Sequence, residues 1–286
     1  MEAVEEKIKS RVRKRYTEAV IEGSGCCGSS SGCGTSIPDQ RVASVAGYSN
    51  EELRALPSDA VVNSFGCGNP LAFSGVQQGD VVIDIGSGAG IDCLLASERV
   101  GSEGKVIGID MTPVMIEKAR ANAKKAMAGN VEFRFGYAET MPVETGTADW
   151  IISNCVINLS PNKPAVFKEA FRVLRPGGRL SISDIMVERL PWLLRRSTAL
   201  YTSCVAGAIP EKEYLSGLQN AGFSDVQVTE RIIYDRDQIV HFLQDSRFFG
   251  YISRHFSGTF RSFIGKFIEG KIWSARISAK KATGLV

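Results

Sequence analysis

Three separate cysteines, Cys67, Cys155 and Cys204, are the residues of this sequence with the clearest capacity for chemistry. Cys67 precedes, and the other two follow, a glycine-rich segment that reads VVIDIGSGAGID at positions 81 to 92. Thiolates are soft ligands, and three of them could coordinate one trivalent, thiophilic centre and leave its lone pair exposed as a nucleophile. The cysteines therefore predict a site for a soft ligand beside the glycine-rich segment.

Each cysteine also has a structural interpretation, because free cysteine is a good small core residue. Cys155 ends a predicted strand and Cys67 lies in a glycine-flanked loop, and both settings favour a ligand role. The position of Cys204 depends on a predicted helix. Cys93 lies inside the helix that follows the glycines, on the face toward the sheet, and we expect it to serve packing alone.

A second group of thiols, Cys26, Cys27 and Cys33, lies in the segment GSGCCGSSSGCGTS at positions 23 to 36, whose composition predicts no regular structure. These thiols could bind a soft metal, capture the incoming ligand or form a disulfide with a cysteine of the site. The cluster could also be incidental to the chemistry.

The glycine-rich segment itself predicts a nucleotide-binding turn. Gly86, Gly88 and Gly90 follow a predicted strand and open a helix, so a ligand can approach the backbone there. Asp84 precedes the glycines, which suits a cationic or hydroxyl-bearing ligand better than a pyrophosphate. Asp110 ends the second strand and can accept hydrogen bonds from both hydroxyls of a ribose. A generic nucleotide-binding domain is the alternative.

Alternating strands and helices predict an α/β fold with a doubly wound, Rossmann-like sheet. We expect buried parallel strands at 81–85, 105–110, 131–135, 149–154 and 179–185, helices between them at 89–99, 113–128 and 163–174, and a further strand at 226–235 followed by a helix at 236–246. Residues 1–74 form an N-terminal helix and cysteine-rich loop extension, residues 75–188 the cofactor-binding core, and residues 189–286 a smaller C-terminal α+β region that completes the site. Ser49 is expected to cap a short helix.

Composition excludes few functions. The chain has 286 residues, 34 basic and 31 acidic side chains and a net charge of +3, which gives no reason to expect nucleic acid as a partner. The charged N-terminal residues predict neither a signal peptide nor a membrane anchor. The seven cysteines are an odd number, which favours reduced thiols, so we expect a cytoplasmic protein.

An apolar stripe from Ile252 to Phe267, mostly phenylalanine, predicts a helix in the C-terminal region. This helix is expected to cover the sheet or, alternatively, to lie on a membrane or partner. His241 and His255 are expected to be structural or exposed.

The acidic glycine turn and the second-strand acid resemble those of class I S-adenosylmethionine methyltransferases. The segments NSFGCGNP, DMTPVMIEKAR, ISNCVINLSPNK, VFKEAFRVLRPGGRLSISDI and CVAGAI resemble, more narrowly, the arsenite S-adenosylmethionine methyltransferases, from about residue 63 to about residue 225. This resemblance implies arsenic(III), and no true metal, bound by Cys67, Cys155 and Cys204 and methylated in line by the sulfonium. It also implies the following cofactor-binding residues: Asp84, Gly86, Ser87, Gly88, Asp110, Met111, Ala138, Glu139 and Asn154, with Met111 packed on the adenine and Tyr137, Ala138 and Glu139 along its edge.

The resemblance further implies arsenic detoxification with a thiol reductant as co-substrate. The expected partners are arsenite or its thiol conjugates and a thioredoxin-like reductant, with no nucleic acid and no membrane. The family has a functional N-terminal cysteine, for which Cys26 and Cys27 are the candidates. Two rival functions stay open: a methyltransferase for a quinone-like oxygen or carbon nucleophile, and a metalloid-binding protein without catalysis.

Overall fold

The computed structural model describes residues 2–21, 48–62, 68–71, 74–188, 207–234 and 270–283. Helices and strands follow one another in this order: α1 (Glu2–Ile21), α2 (Asn50–Ala55), α3 (Ser58–Val62), β1 (Val81–Ile85), α4 (Ile91–Val100), β2 (Lys105–Asp110), α5 (Pro113–Lys125), β3 (Val131–Phe135), β4 (Ala148–Asn154), a 3-10 helix (Ile157–Leu159), α6 (Lys163–Val173), β5 (Leu174–Val187), α7 (Glu211–Asn220), β6 (Ser224–Ile233) and β7 (Ile272–Lys280).

Several predictions lie outside the described residues. These are the roles of Cys26, Cys27, Cys33, Cys67 and Cys204, the helix at 236–246, the apolar stripe and the two histidines.

The strands form one seven-stranded sheet in the order β3-β2-β1-β4-β5-β7-β6. The five predicted strands from β1 to β5 pair in parallel, and β1 lies between β2 and β4, with Asp84 opposite Gly108 on one side and Ile152 on the other. This arrangement confirms the predicted doubly wound fold, and it places the first and fourth strands side by side. Because all five strands run in one direction, the residues after β1, β2 and β4 meet at one edge of the sheet.

Helices cover both faces of the sheet. Alternate residues of a strand point to opposite faces, so Ile83 and Val82 of β1 belong to different cores. Ile83 packs in the core that contains Phe167 of α6 and Tyr214 of α7. Val82 packs in the core on the other face, with Leu94 of α4 and Ile116 of α5.

Strand β7 was not predicted from the sequence. It lies antiparallel between β5 and β6, with Ile182 opposite Ile277, and the side chains of Ile272, Ala275 and Ile277 are buried. The C-terminal residues that the structure describes therefore extend the same sheet. The signal that could have indicated it is the β-branched and aromatic content of IWSARISAK after Gly270.

The predicted cap of α2 is confirmed. The Glu52 amide donates to the Ser49 hydroxyl, and the Ser49 amide donates to the Glu52 carboxylate, at 3.1 and 2.8 Å. This reciprocal pair is a capping box. It fixes the start of the helix two residues after Tyr48, whose hydroxyl accepts a hydrogen bond from Asn154 Nδ2 at 2.9 Å.

The helices in the described part of the chain are short or charged. α1 has 20 residues and carries charged side chains throughout its length. None of the helices in these ranges is both long enough and apolar enough to cross a bilayer.

Candidate active site

The turn after β1 lies at the centre of the candidate site. The amides of Gly86 and Ser87 donate to the Ile109 carbonyl of β2 at 2.7 and 3.0 Å, which ties the turn to the neighbouring strand. Gly86 has a φ of 74°, a left-handed conformation that glycine adopts without steric cost. The turn thereby presents its backbone to a cavity at the carboxyl edge of the sheet.

That cavity collects the predicted site residues that lie in the described ranges. Asp84 and Tyr137, both predicted to contact the cofactor, do not line it, whereas the following predicted residues do: Gly86, Ser87, Gly88, Asp110, Met111, Ala138, Glu139 and Asn154. Cys155 lines the same cavity. One of the three predicted arsenic ligands therefore borders the space expected to hold the cofactor.

Asp84 lies beneath the turn and is 2% exposed. Its carboxylate accepts a hydrogen bond from the Cys93 thiol at 3.3 Å. Burial, and next the charge of Asp92, raise the pKa of Asp84 well above its usual value. The predicted contact between Asp84 and the cofactor stays a prediction.

Cys93 is fully buried and packs in the core, as expected. Its hydrogen bond to Asp84 was not expected, and burial raises the pKa of the Cys93 thiol well above its usual value. Such a thiol stays protonated, which suits packing and not ligation of a soft cation.

Asp110 uses both carboxylate oxygens to hold loops at the cavity. The Gly88 amide donates to one oxygen at 3.0 Å, and the Thr112 amide donates to the other at 2.7 Å. Each oxygen has further lone pairs, so the carboxylate can still accept from a ribose. Asp110 therefore connects the glycine turn to the start of α5.

Cys155 follows β4 in an unusual conformation. Its φ is 59°, which non-glycine residues rarely adopt, and its amide donates to the Ser183 carbonyl of β5 at 2.8 Å. Cys155 is joined in a disulfide bond, and its partner is not Cys93, which is a free thiol. The hydrogen bond to Ser183 of β5 fixes the backbone of Cys155.

Helix α1 forms part of the cavity wall, a role that the sequence analysis did not assign. Lys9, Val12 and Tyr16 line the cavity, and Val12 is 1% exposed. The Lys9 ammonium lies 3.3 Å from the Glu139 carboxylate and 5.0 Å from the centre of the Tyr137 ring. The spacing of four between Ile8, Val12 and Tyr16 could have indicated a packed helix face, but not the surface it covers.

A buried polar cluster supports the segment after Cys155. This cluster was not predicted from the sequence. The Asp184 carboxylate accepts from the amide and side chain of Asn158 at 3.1 and 2.8 Å, and from the Tyr214 hydroxyl at 3.3 Å. The Lys163 ammonium donates to the Asn158 carbonyl at 3.2 Å. Burial is the main cause that raises the pKa of Asp184 to about 7. The cluster joins the 3-10 helix, β5 and α7.

Comparisons with known proteins agree with this geometry. Residues 77–222 match a family described as "Methyltransferase domain". The chain is similar to CrArsM, an arsenic (III) S-adenosylmethionine methyltransferase from Chlamydomonas reinhardtii whose crystal structure is known, with 30% sequence identity. The match covers 88% of this chain and 76% of the CrArsM chain, and the TM-score is 0.63. The chain belongs to the arsenite S-adenosylmethionine methyltransferase family.

Two further arsenite methyltransferases show how much of the family's length is present. That of Halobacterium salinarum is 40% identical over 84% of this chain, and that of Aquipseudomonas alcaligenes is 37% identical over 70%. The match spans 62% of the first relative's length and 58% of the second's. The chain therefore spans about three fifths of the length of these two relatives.

Proposed function

We propose that this chain transfers the methyl group of S-adenosylmethionine to trivalent arsenic held by cysteine thiolates, in arsenic detoxification. The observation that carries the proposal is that Cys155 and the glycine turn from Gly86 to Gly88 line one cavity. The cysteine that would hold arsenic is therefore adjacent to the turn that would hold the cofactor. Methyl transfer from the cofactor to arsenic requires such proximity.

The residues present fit S-adenosylmethionine. Asp110 lies at the end of β2, where a ribose can donate to its carboxylate. The Ser87 hydroxyl is buried in the turn and has no hydrogen-bond partner among the described residues, so a polar group of the cofactor would satisfy it. Methionine and alanine side chains, Met111 and Ala138, offer apolar surface for the adenine. When bound, the cofactor supplies an electrophilic methyl group on a cationic sulfur.

Arsenic would be held by Cys155 together with Cys67 and Cys204, which lie outside the described residues. The lone pair of arsenic forms the new arsenic–carbon bond, and the electrons of the old carbon–sulfur bond remain on sulfur. The nucleophile has no proton to lose, so the chain's contribution is to hold the arsenic in line with the methyl group. Positioning of this kind is worth up to about 7–11 kcal/mol in favourable systems.

A thiol reductant has two tasks in this proposal. A disulfide sulfur is not a thiolate ligand, so the Cys155 disulfide must be reduced before arsenic binds. Methyl transfer also removes two electrons from arsenic, which a dithiol returns by forming a disulfide. A thioredoxin-like protein of the cytoplasm is the partner we propose, and arsenite or its thiol conjugate is the substrate.

Cys26 and Cys27 are proposed to load arsenite or to exchange disulfides during turnover. Replacement of both is expected to impair turnover of arsenite and to spare a substrate that already carries methyl groups. Equal loss on both substrates would exclude the loading role.

The test is to incubate the protein with arsenite, a dithiol and S-adenosylmethionine, and to identify the arsenic species by chromatography with mass detection. We expect methylated arsenic from the wild type and from Cys93→Ser, which keeps a donor to Asp84, and none from Cys155→Ser. Methylated arsenic from Cys155→Ser at the wild-type rate contradicts the cysteine site. Absence of methylated arsenic from the wild type, with methylation of a demethylated quinone, would favour the rival function.

A further inference from the structure

We infer that Asn154 is a positioning residue that holds the chain next to Cys67 against the chain next to Cys155. This inference rests on the proposed function, since it assigns Asn154 to the geometry of the arsenic site. Asn154 was predicted to contact the cofactor and lines the cofactor cavity, and its side chain also makes contacts that were not predicted.

The central contact is a reciprocal pair of hydrogen bonds with Gly68. The Gly68 amide donates to Asn154 Oδ1 at 3.1 Å, and Asn154 Nδ2 donates to the Gly68 carbonyl at 2.5 Å. Two bonds to the two polar groups of one residue fix its orientation as well as its position. Asn154 therefore acts as a bridge between segments that lie 86 residues apart in the chain.

Two other residues keep the bridge from rotating. Asn154 Nδ2 lies 2.9 Å from the Tyr48 hydroxyl and 3.2 Å from Asp92 Oδ2. The Tyr48 hydroxyl in turn donates to Asp92 Oδ1 at 2.8 Å, which closes a triangle of three side chains. Tyr48 and Asp92 are both buried, so these bonds lie in an environment where unmade hydrogen bonds are costly.

The Gly68 segment also lies directly on β5. A Cβ on Gly68 would lie 2.5 Å from Ser183 Oγ, and the Ser181 hydroxyl donates to the Pro70 carbonyl at 2.8 Å. Ser183 is the residue whose carbonyl accepts the amide of Cys155. The same stretch of β5 therefore supports both segments that Asn154 joins.

Cys67 and Cys155 are the covalent neighbours of Gly68 and Asn154. The bridge therefore fixes the residue that follows Cys67 in the chain and the residue that precedes Cys155. The side-chain amide of Asn154 already has protein partners for its oxygen and its nitrogen. Its side chain sets the separation of the two cysteine-bearing segments, and its predicted contact with the cofactor stays a prediction.

The experiment compares arsenite binding with cofactor binding in Asn154→Ala. Arsenic retained after gel filtration is measured at several arsenite concentrations under reducing conditions, arsenic–sulfur coordination is measured by X-ray absorption, and S-adenosylmethionine affinity is measured by calorimetry. The matched control is Asn130→Ala. Asn130 makes similar side-chain bonds to Ser97 and Gly101, but away from the cavity.

We expect Asn154→Ala to weaken arsenite binding roughly tenfold to a hundredfold, as loss of a residue behind a ligand commonly does, and to lower the number of arsenic–sulfur contacts. Because Asn154 also lines the cofactor cavity, S-adenosylmethionine affinity should fall much less than arsenite affinity in Asn154→Ala, and should stay within about twofold in Gly68→Ala, since Gly68 does not line that cavity. The control should bind both ligands as the wild type does.

Gly68→Ala tests the bridge from its other end, because the new Cβ would displace the segment from Ser183 while Asn154 is intact. It should reproduce the selective loss of arsenite binding, and it serves if Asn154→Ala does not fold. Equal loss of both ligands, or unchanged arsenite binding, in the folded variants overturns the positioning role. Failure of the wild type to bind arsenic overturns the proposed function instead.

Discussion

Gly86 and Val156 are packed so closely that a Cβ on Gly86 would lie 2.2 Å from Val156 Cγ2. Gly86 belongs to the turn after β1, and Val156 directly follows Cys155. The nucleotide-binding turn therefore rests on the segment that carries a predicted arsenic ligand. A larger side chain at either position would displace the other residue, because a close-packed interior has no free space for the added atoms.

Gly86→Ala is accordingly expected to destabilise the protein through both a clash and backbone strain. Overpacking costs about 1–3 kcal/mol and a left-handed non-glycine residue about 1–2 kcal/mol. Gly146→Ala is the control, since Gly146 has a similar φ of 72° but open space around its Cβ position. Urea unfolding should show the larger loss for Gly86→Ala and partial recovery when Val156→Ala is added. Equal losses for the two glycine variants would mean that the clash is relieved without cost.

Asp110→Ala is expected to weaken S-adenosylmethionine binding about tenfold to a hundredfold. The variant removes the proposed ribose acceptor and the bond from the Gly88 amide, and hydrogen bonds to charged groups are worth about 1.5–3 kcal/mol. Calorimetry measures the effect. Asp80→Ala, which removes a carboxylate that accepts from the Gln77 amide, is the control and should bind normally. Unchanged affinity in Asp110→Ala would place the cofactor elsewhere.

Lys9→Met should speed the release of S-adenosylhomocysteine roughly twofold to tenfold, because it removes the ion pair with Glu139 that holds α1 on the cavity. Lys7→Met is the control, as Lys7 is an exposed lysine of the same helix. Stopped-flow displacement by excess cofactor gives both rates. Equal rates in the two variants would show that the pair does not retain the ligand.

Asp184 predicts a pH dependence of stability. Its folded pKa is raised to about 7, so its neutral form is favoured in the folded state. Its contribution is full below its unfolded pKa near 4 and is lost as the pH rises to 7. Between pH 5 and pH 8 the wild type should lose about 3 kcal/mol from this group, at about 1.4 kcal/mol per pKa unit. Asp184→Asn should show a smaller fall in urea unfolding free energy across that range. An identical fall in both proteins would contradict the assignment.

The sequence predicted the parts of the fold that depend on local pattern. The run VVIDI is buried on both faces and the glycines follow it directly, so β1, its turn and the approach of Cys155 could be placed in advance. Strand β7 could not, because its partners β5 and β6 are distant in the chain and its pattern does not alternate simply. Helix α1 had a recognisable apolar face, but the sequence does not show that this face covers the cavity and that Lys9 pairs with Glu139.

The polar contacts of the site could not be predicted either, because they also join segments that are distant in the chain. Asp184 was predicted within a strand, but its partners Asn158 and Tyr214 come from two other elements. Asn154, the last residue of β4, was predicted as a cofactor residue, whereas its bonds to Gly68 depend on a loop that returns to the sheet edge. Side-chain networks between distant segments leave no periodic signal in a sequence.

The contribution of α1 to the cavity wall bears on how the cofactor would be exchanged in the proposed reaction. Each round would leave a spent cofactor that must depart before a fresh one enters. Lys9 holds α1 to the cavity, whereas Cys155 is fixed by Ser183 of β5, so the two attachments are separate. In the proposed reaction, motion of α1 would therefore let the cofactor exchange without moving the backbone of Cys155.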